Sequence, residues 1–480
     1  MSRRFPLAIL LLTIVPTYSR AQQTPPPPAA PRAVSVPHPS EKTLENGLRV
    51  IVVEKTGLPL VATRLLVKTG GEADPADRAG LADMTASLLT KGTKTKNAEE
   101  IALGVEALGA TIDSGAGWDN SFVALGALAN NYPDAMKYVS DVVMHPTFAQ
   151  EEIDRLRDQN IDALRVAMQN PAQLAGFVAA RVLYGGAPYG HNLGGTPESL
   201  QKITRDDVVK FHQTYYRPDN AVLVVAGDVK PADVFSVAKK LFGSWSSSSG
   251  GQAPPPVQAS VESHPQRVVV IDMPEAGQAA VVVTRRGLQR VDPNFFVAQV
   301  ANSVLGGGYS SRLNQEIRIK RGLSYGAGSA FEFRRDAGPF SASVQTKNES
   351  AVEVAGLIGT EISKMSSTSV AESELTPRKA TLAGDFGRSI ETTSGLVRRL
   401  GALAVYGLSL GQINEYVKDV QSVSAADVQK FATEHLGGDA DIVIVGDMKK
   451  IGDALKKAYP NAEIIPIDQL DLDSPTLRKK

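Results

Sequence analysis

The chain has 480 residues, 42% hydrophobic and 21% charged, with 51 basic side chains balanced by 51 acidic ones. A neutral total gives no electrostatic reason to expect nucleic acid or an anionic membrane as partner, and the length allows two or three domains. Cysteine is absent, which excludes disulfide staples and thiol chemistry.

The opening segment, MSRRFPLAILLLTIVPTYSRAQQ, carries the three marks of an export signal over residues 1–21. Arg3 and Arg4 form the charged start, Leu7 to Val15 the apolar core, and Ser19-Arg20-Ala21 a small-x-small cleavage site. That core is too short to span a bilayer, and nothing later reaches the length of a membrane helix. An exported, cysteine-free protein of this size points to a bacterial periplasm. Residues 22–40, QQTPPPPAAPRAVSVPHPS, form a semi-rigid proline-rich tether, expected to be solvated.

From residue 41 to 245, strand runs such as GLRVIVVEK, PLVATRLLVKTG and SFVALGAL alternate with helical stretches such as EEIALGVEALG and NYPDAMKYVSDVVM. Strands joined by short turns favour antiparallel pairing with helices on one face, an α+β layer. The breaker SWSSSSGGQAPPPVQ marks a linker over 246–265. A second domain follows at 266–462, and a polar tail, 463–480, is expected to be solvated.

The two halves repeat each other. DDVVKFHQTYYRPDNAVLVVAGD closes the first and ADVQKFATEHLGGDADIVIVGD the second. Asp207 and Asp427 lie 427 − 207 = 220 apart, and Asp228 and Asp447 lie 447 − 228 = 219 apart. A period this long is not that of a solenoid, so it indicates a duplicated domain.

Familiar catalytic constellations are missing. His38, His145, His191, His212, His264 and His435 include no helical pair, so no His-x-x-x-His metal grip exists, and each reads as structural. LGGGYSSRL, Leu305 to Leu313, lacks the lysine of a phosphate loop and reads as a flexible turn before a helix. No Ser/His/Asp order or carboxylate pair stands out. NQEIRIKRGLSY follows, in which Arg318 shares a helix face with Glu316, Lys320 and Arg321, and Tyr325 opens the next strand. Alone, each is an ordinary surface cation and a half-buried sheet tyrosine; together they are a guanidinium and a phenol that can be aimed at one carbonyl or carboxylate.

These segments carry a resemblance to the insulinase/pitrilysin family of zinc metallopeptidases, which includes mitochondrial processing peptidase and paired bacterial periplasmic members. LENGLRVIVVEK resembles the family's opening strand, and GLADMTASLLTKGT the frame of its catalytic helix. HPTFAQEEIDRLRDQNIDALR is similar to the segment bearing the last metal ligand. GAPYGHNLGGTPESLQKITRDDVVKFHQTYYRPDNAVLVVAGD and LGGGYSSRLNQEIRIKRGLSYGAGSAF are specific matches in the first and second domains. The resemblance implies two α+β domains forming half of a clamshell chamber.

Active members use His-x-x-Glu-His and a later glutamate. In the frame set by Lys91-Gly92-Thr93 these four positions hold Asp83, Ala86, Ser87 and Leu164. The resemblance therefore implies no metal on this chain and no peptidase activity by this chain alone. It also implies that Arg318 and Tyr325, which keep the family's Arg-x6-Tyr spacing, serve the active site of a homologous zinc-bearing partner acting on unfolded peptides. Such peptides would add as a strand at a sheet edge, for which SFVALGAL is the expected strand. The alternative is a stand-alone, non-enzymatic pseudo-peptidase that binds peptides or scaffolds an assembly.

Overall fold

The computed structural model describes residues 35–246, 254–259 and 264–479; the export signal and most of the tether and linker lie outside them. Twelve strands form two six-stranded sheets. The first contains β1 (Ser40–Thr43), β2 (Arg49–Glu54), β3 (Leu60–Val67), β4 (Thr111–Ala116), β5 (Ser121–Leu128) and β6 (Ala221–Gly227), in the order β1-β2-β6-β3-β5-β4. The second contains β7 (Val268–Asp272), β8 (Ala279–Arg286), β9 (Ala327–Phe331), β10 (Pro339–Thr346), β11 (Asp441–Gly446) and β12 (Glu463–Pro466), in the order β12-β7-β11-β8-β10-β9. Pairing is antiparallel except for β2–β6, β7–β11 and β7–β12.

Five strands of each sheet correspond in order, β2-β6-β3-β5-β4 with β7-β11-β8-β10-β9, as the sequence repeat requires, and the repeat extends to local chemistry. Thr204 and Ser424 each cap a helix, at Arg205–Tyr215 and Ala425–Phe431, by a reciprocal bond with Asp207 and Asp427 three residues on. Each capping box satisfies two otherwise orphaned backbone donors, so both copies start their helix at the same place.

The expected mainly antiparallel sheets with helices on one face are present, and each sheet is also covered on its second face. Val50, Val52, Leu65, Val123, Leu223 and Val225 pack against helices of the first half. Their strand neighbours Ile51, Val53, Leu66, Val222 and Val224 face the other way, as period-two alternation requires. They meet Leu396, Val397, Leu400 and Leu403 of helix Thr393–Val405, which belongs to the second half. The exchange is reciprocal. Leu174, Ala175, Val178 and Val182 of the first-half helix Pro171–Tyr184 cover Val269, Ile271, Val443 and Val445 of the second sheet.

A polar joint completes this exchange. Arg335, in the turn between β9 and β10, donates Nη1–H to Glu72 Oε1 at 2.9 Å and Nη2–H to the Lys68 carbonyl at 3.0 Å. Its backbone N–H reaches Asp119 Oδ2 at 2.8 Å, and Asp119 also accepts from the Tyr189 and Tyr406 hydroxyls. Burial pushes the Glu72 carboxyl up to about 7, against the pull of Arg335.

Two expectations of solvated segments are corrected. The tail supplies edge strand β12 and buries Leu470, Leu472 and Leu477 beside the exchanged helix. Arg181 donates Nε–H to the Leu472 carbonyl, and the Thr196 hydroxyl bonds Asp473. At the other end, Val36 of the tether is buried against the second half, with its backbone N–H and C=O bonded to the Asn414 amide at 2.8 and 3.1 Å. Both segments are polar in composition yet carry apolar residues spaced to enter existing grooves. Among the described residues no helix is long and apolar enough to cross a membrane.

Candidate functional site

Helix Leu81–Leu88 opens behind Asp74, whose buried carboxylate accepts from the Gly80 and Ala82 N–H groups at 2.8 and 2.7 Å. Gly80 holds φ at 93°, a left-handed conformation that favours glycine. On this helix Asp83 is largely buried, its pKa raised by desolvation while it accepts the Ala116 N–H at the end of β4. Ala86 is fully buried and Ser87 partly so. Leu164, on helix Gln150–Met168, packs against the first-half core. One carboxylate, one hydroxyl and two hydrocarbon side chains do not fit a tetrahedral zinc ion, and the alanine provides no base. Among the described residues no group of three or more His, Cys, Asp or Glu could hold a metal.

The second half is arranged differently. Helix Phe295–Leu305 ends in the glycine turn, and the chain re-enters a wide π-helical turn at Asn314–Lys320 before reaching β9. Gly306 explains the turn: a Cβ there would lie 2.3 Å from the Ser329 nitrogen, and the Gly306 carbonyl accepts the Ser329 N–H. Buried Asn314 ties the turn to the strand, donating to the Tyr309 carbonyl at 2.5 Å and accepting the Ala327 N–H at 3.3 Å.

On the π-helical turn, Glu316 is occupied by Lys320 and Arg321 at 2.9 and 3.0 Å. Arg318 is left without an ion pair among the described residues. Its guanidinium lies 4.9 Å from the ring centroid of Tyr309, a cation–π contact on an exposed ring. Ser324 folds the next turn by accepting from the Gly326 N–H at 3.0 Å and donating to its carbonyl at 2.6 Å. This turn pushes Tyr325 outward to 90% exposure. The two residues singled out in sequence thus share one turn-and-strand segment with no hydrogen bond or ring contact between them. Asn314, which positions both, was missed; its signal is a poor helix former inside a helical stretch.

The strand expected to take a peptide is corrected: SFVALGAL is β5, paired on both sides by β3 and β4. The edge is β4. It was overlooked because TIDSGA is less apolar than the run beside it, whereas β5 alternates cleanly and reads as half-exposed. The histidines are structural where described: His191 bonds the carbonyls of Gly71 and Asn192, and His212 that of Val143. Burial lowers His212 to about 4.

Comparison with known proteins finds relatives of the whole fold. The family profile described as "Insulinase (Peptidase family M16)" matches residues 49–194, and that described as "Peptidase M16 inactive domain" matches residues 202–382. An uncharacterized zinc protease of Mycobacterium leprae is 26% identical over 425 residues, 88% of this chain and 93% of the relative. One from Bacillus subtilis is 22% identical over 84% of this chain and 97% of the relative. A solved structure of a peptidase M16 inactive domain from Pseudomonas fluorescens superimposes with a TM-score of 0.79 at 28% identity, covering 85% of this chain and 98% of the other. A protease from Helicobacter pylori shares the fold, with a TM-score of 0.80 at 22% identity over 86% and 100% of the two chains.

Proposed function

Because this chain belongs to the insulinase family of peptidases, M16, we propose that it is the zinc-free subunit of a heteromeric periplasmic metallopeptidase. Arg318 and Tyr325 complete the active site of a homologous partner that carries the metal. The observation that carries this reading is a contrast within one chain. The helix at the family's metal position holds Asp83, Ala86 and Ser87, with Leu164 beyond, while the second half carries Arg318, without an ion pair among the described residues, and a 90% exposed Tyr325. An exported location is supported by the three-part signal at residues 1–21.

When bound on the partner, zinc supplies a Lewis acid and an activated water. The Arg318 guanidinium donates N–H bonds to a backbone carbonyl of the bound peptide, and no internal ion pair has to break first. The Tyr325 phenol donates to the carbonyl oxygen as it becomes negative, where a hydrogen bond strengthens with the developing charge. Tyr309 lies against the guanidinium and Asn314 ties the turn to β9, so the backbone carrying both donors is set before substrate arrives.

The test starts with affinity purification of the tagged mature chain from its own cells. A stoichiometric homologue with an intact His-x-x-Glu-His is expected. In that complex Arg318→Ala and Tyr325→Phe should each lower kcat by about 100-fold with zinc content unchanged. Recovery of the chain alone, or turnover indifferent to both substitutions, would leave a non-enzymatic peptide binder.

A further inference from the structure

Beside Tyr325 the second sheet opens into a cavity of about 630 Å3, large enough for one big side chain and some water. Its floor is two cross-strand pairs at the margin of the face covered by the exchanged helix, buried Val282 and Ala280 on β8 with exposed Ser343 and Gln345 on β10. The turn Ser324–Gly326 forms the rim, and Ala172, at the start of the exchanged first-half helix, closes one wall. Gln278 faces the same space.

Among the described residues the lining contains no Asp, Glu, Lys, Arg or His. Small residues and the aliphatic floor offer apolar contact, while Gln278, Gln345, Ser324 and Ser343 offer neutral donors and acceptors. The helix start in the wall is not a spare anion site. Asn170 Oδ1 already accepts the Ala172 and Gln173 N–H groups, at 2.9 and 3.3 Å. A charged group entering here would lose water without gaining a counter-ion, a cost that a neutral side chain avoids.

From this geometry we infer that the cavity is a side-chain subsite for bound peptide, taking a large uncharged residue and rejecting acidic and basic ones. The inference rests on the role proposed for Tyr325 at the reacting carbonyl of a bound peptide, and it adds a selectivity that role does not require. Tyr325 meets the reacting carbonyl at the rim, and the adjoining side chain enters the space over Ser343 and Gln345. Both are exposed on β10, so replacing them leaves the core untouched.

The test measures binding of the full chain to fluorescein-labelled Ala/Ser peptides that differ at one central residue, Phe, Gln, Lys or Asp, by fluorescence anisotropy. The Phe and Gln peptides should bind at least about tenfold more tightly than the charged pair. Gln345→Glu should shift preference towards Lys and Gln345→Lys towards Asp, each by about tenfold. An order of affinities that neither substitution alters would overturn the subsite. Activity of the assembled peptidase with Arg318→Ala separates the two ideas. A fall in turnover beside unaltered peptide preference leaves the proposed function standing without the subsite. Reciprocal charge effects beside unaltered turnover leave the subsite without the catalytic role.

Discussion

The outer edges of the two sheets come from corresponding strands and are finished in opposite ways. Along β4 the outer backbone groups meet no further strand, and the one tie to the adjacent helix among the described residues is the Ala116 N–H on Asp83. Along β9 the matching helix sends its glycine turn against the strand, with the Gly306 carbonyl on the Ser329 N–H and Asn302 on the Ser329 hydroxyl at 2.7 Å. One duplicated unit therefore keeps an open backbone edge, where an extended chain can add. The other closes its edge and presents side chains instead. The loss of metal-ligand residues sits beside the open edge, and the retained guanidinium and phenol sit beside the closed one.

The contrast is strongest if the halves are one cooperative body, which can be attacked at their joint. Arg335→Ala leaves Glu72 without its cation and the Lys68 and Asp119 carbonyls without their donor, and should cost about 3–5 kcal/mol in urea unfolding. A loss below 1 kcal/mol would mean the joint contributes little. Next in size, Leu400→Ala removes a buried second-half side chain from the first sheet and should cost about 3 kcal/mol. Trp118 and Trp245 both lie in the first half, so their fluorescence midpoint must move with a substitution made in the second. A fixed midpoint would dissolve the idea of exchange as the bond between halves.

The most gradual effect is in pH. Burial lifts Glu72 from its ordinary value near 4.5 to about 7, so between those values the folded chain holds a proton that the unfolded chain has released. Its contribution is fully present below about pH 4.5 and is lost as pH rises through 7, on the order of 3 kcal/mol spread over that window. Glu72→Gln should flatten that slope in a series of melts, and an unchanged slope would assign it to other groups.

Much of this was legible in the sequence. The duplication follows from D-V-x-K-F helices and Gly-Asp strand ends at one spacing, since a repeat reports topology directly. The residues at the family's metal-ligand positions follow from the resemblance and the Lys91-Gly92-Thr93 frame, while the roles given to Arg318 and Tyr325 belong to the proposal. The helix exchange was not legible, because Leu174, Val178 and Val182 read the same whichever sheet they cover. Nor was the edge, since alternation in SFVALGAL describes two faces of a strand and says nothing about its neighbours. The docked tail was hidden by its charge: Leu470, Leu472 and Leu477 are three apolar residues among acids and bases, and only an existing groove gives them meaning.

The exchanged helices also impose an order of assembly. Val178 waits for Val443, which lies 443 − 178 = 265 residues further along the chain. At ordinary translation speeds that is a delay on the order of tens of seconds. Throughout it the first half exists with Leu174 and Val182 bare on one helix and Ile51 and Val224 bare on one sheet. Such a nascent chain is a natural client for a holding chaperone. A fragment ending in the linker, however complete its first sheet, remains in that unfinished state.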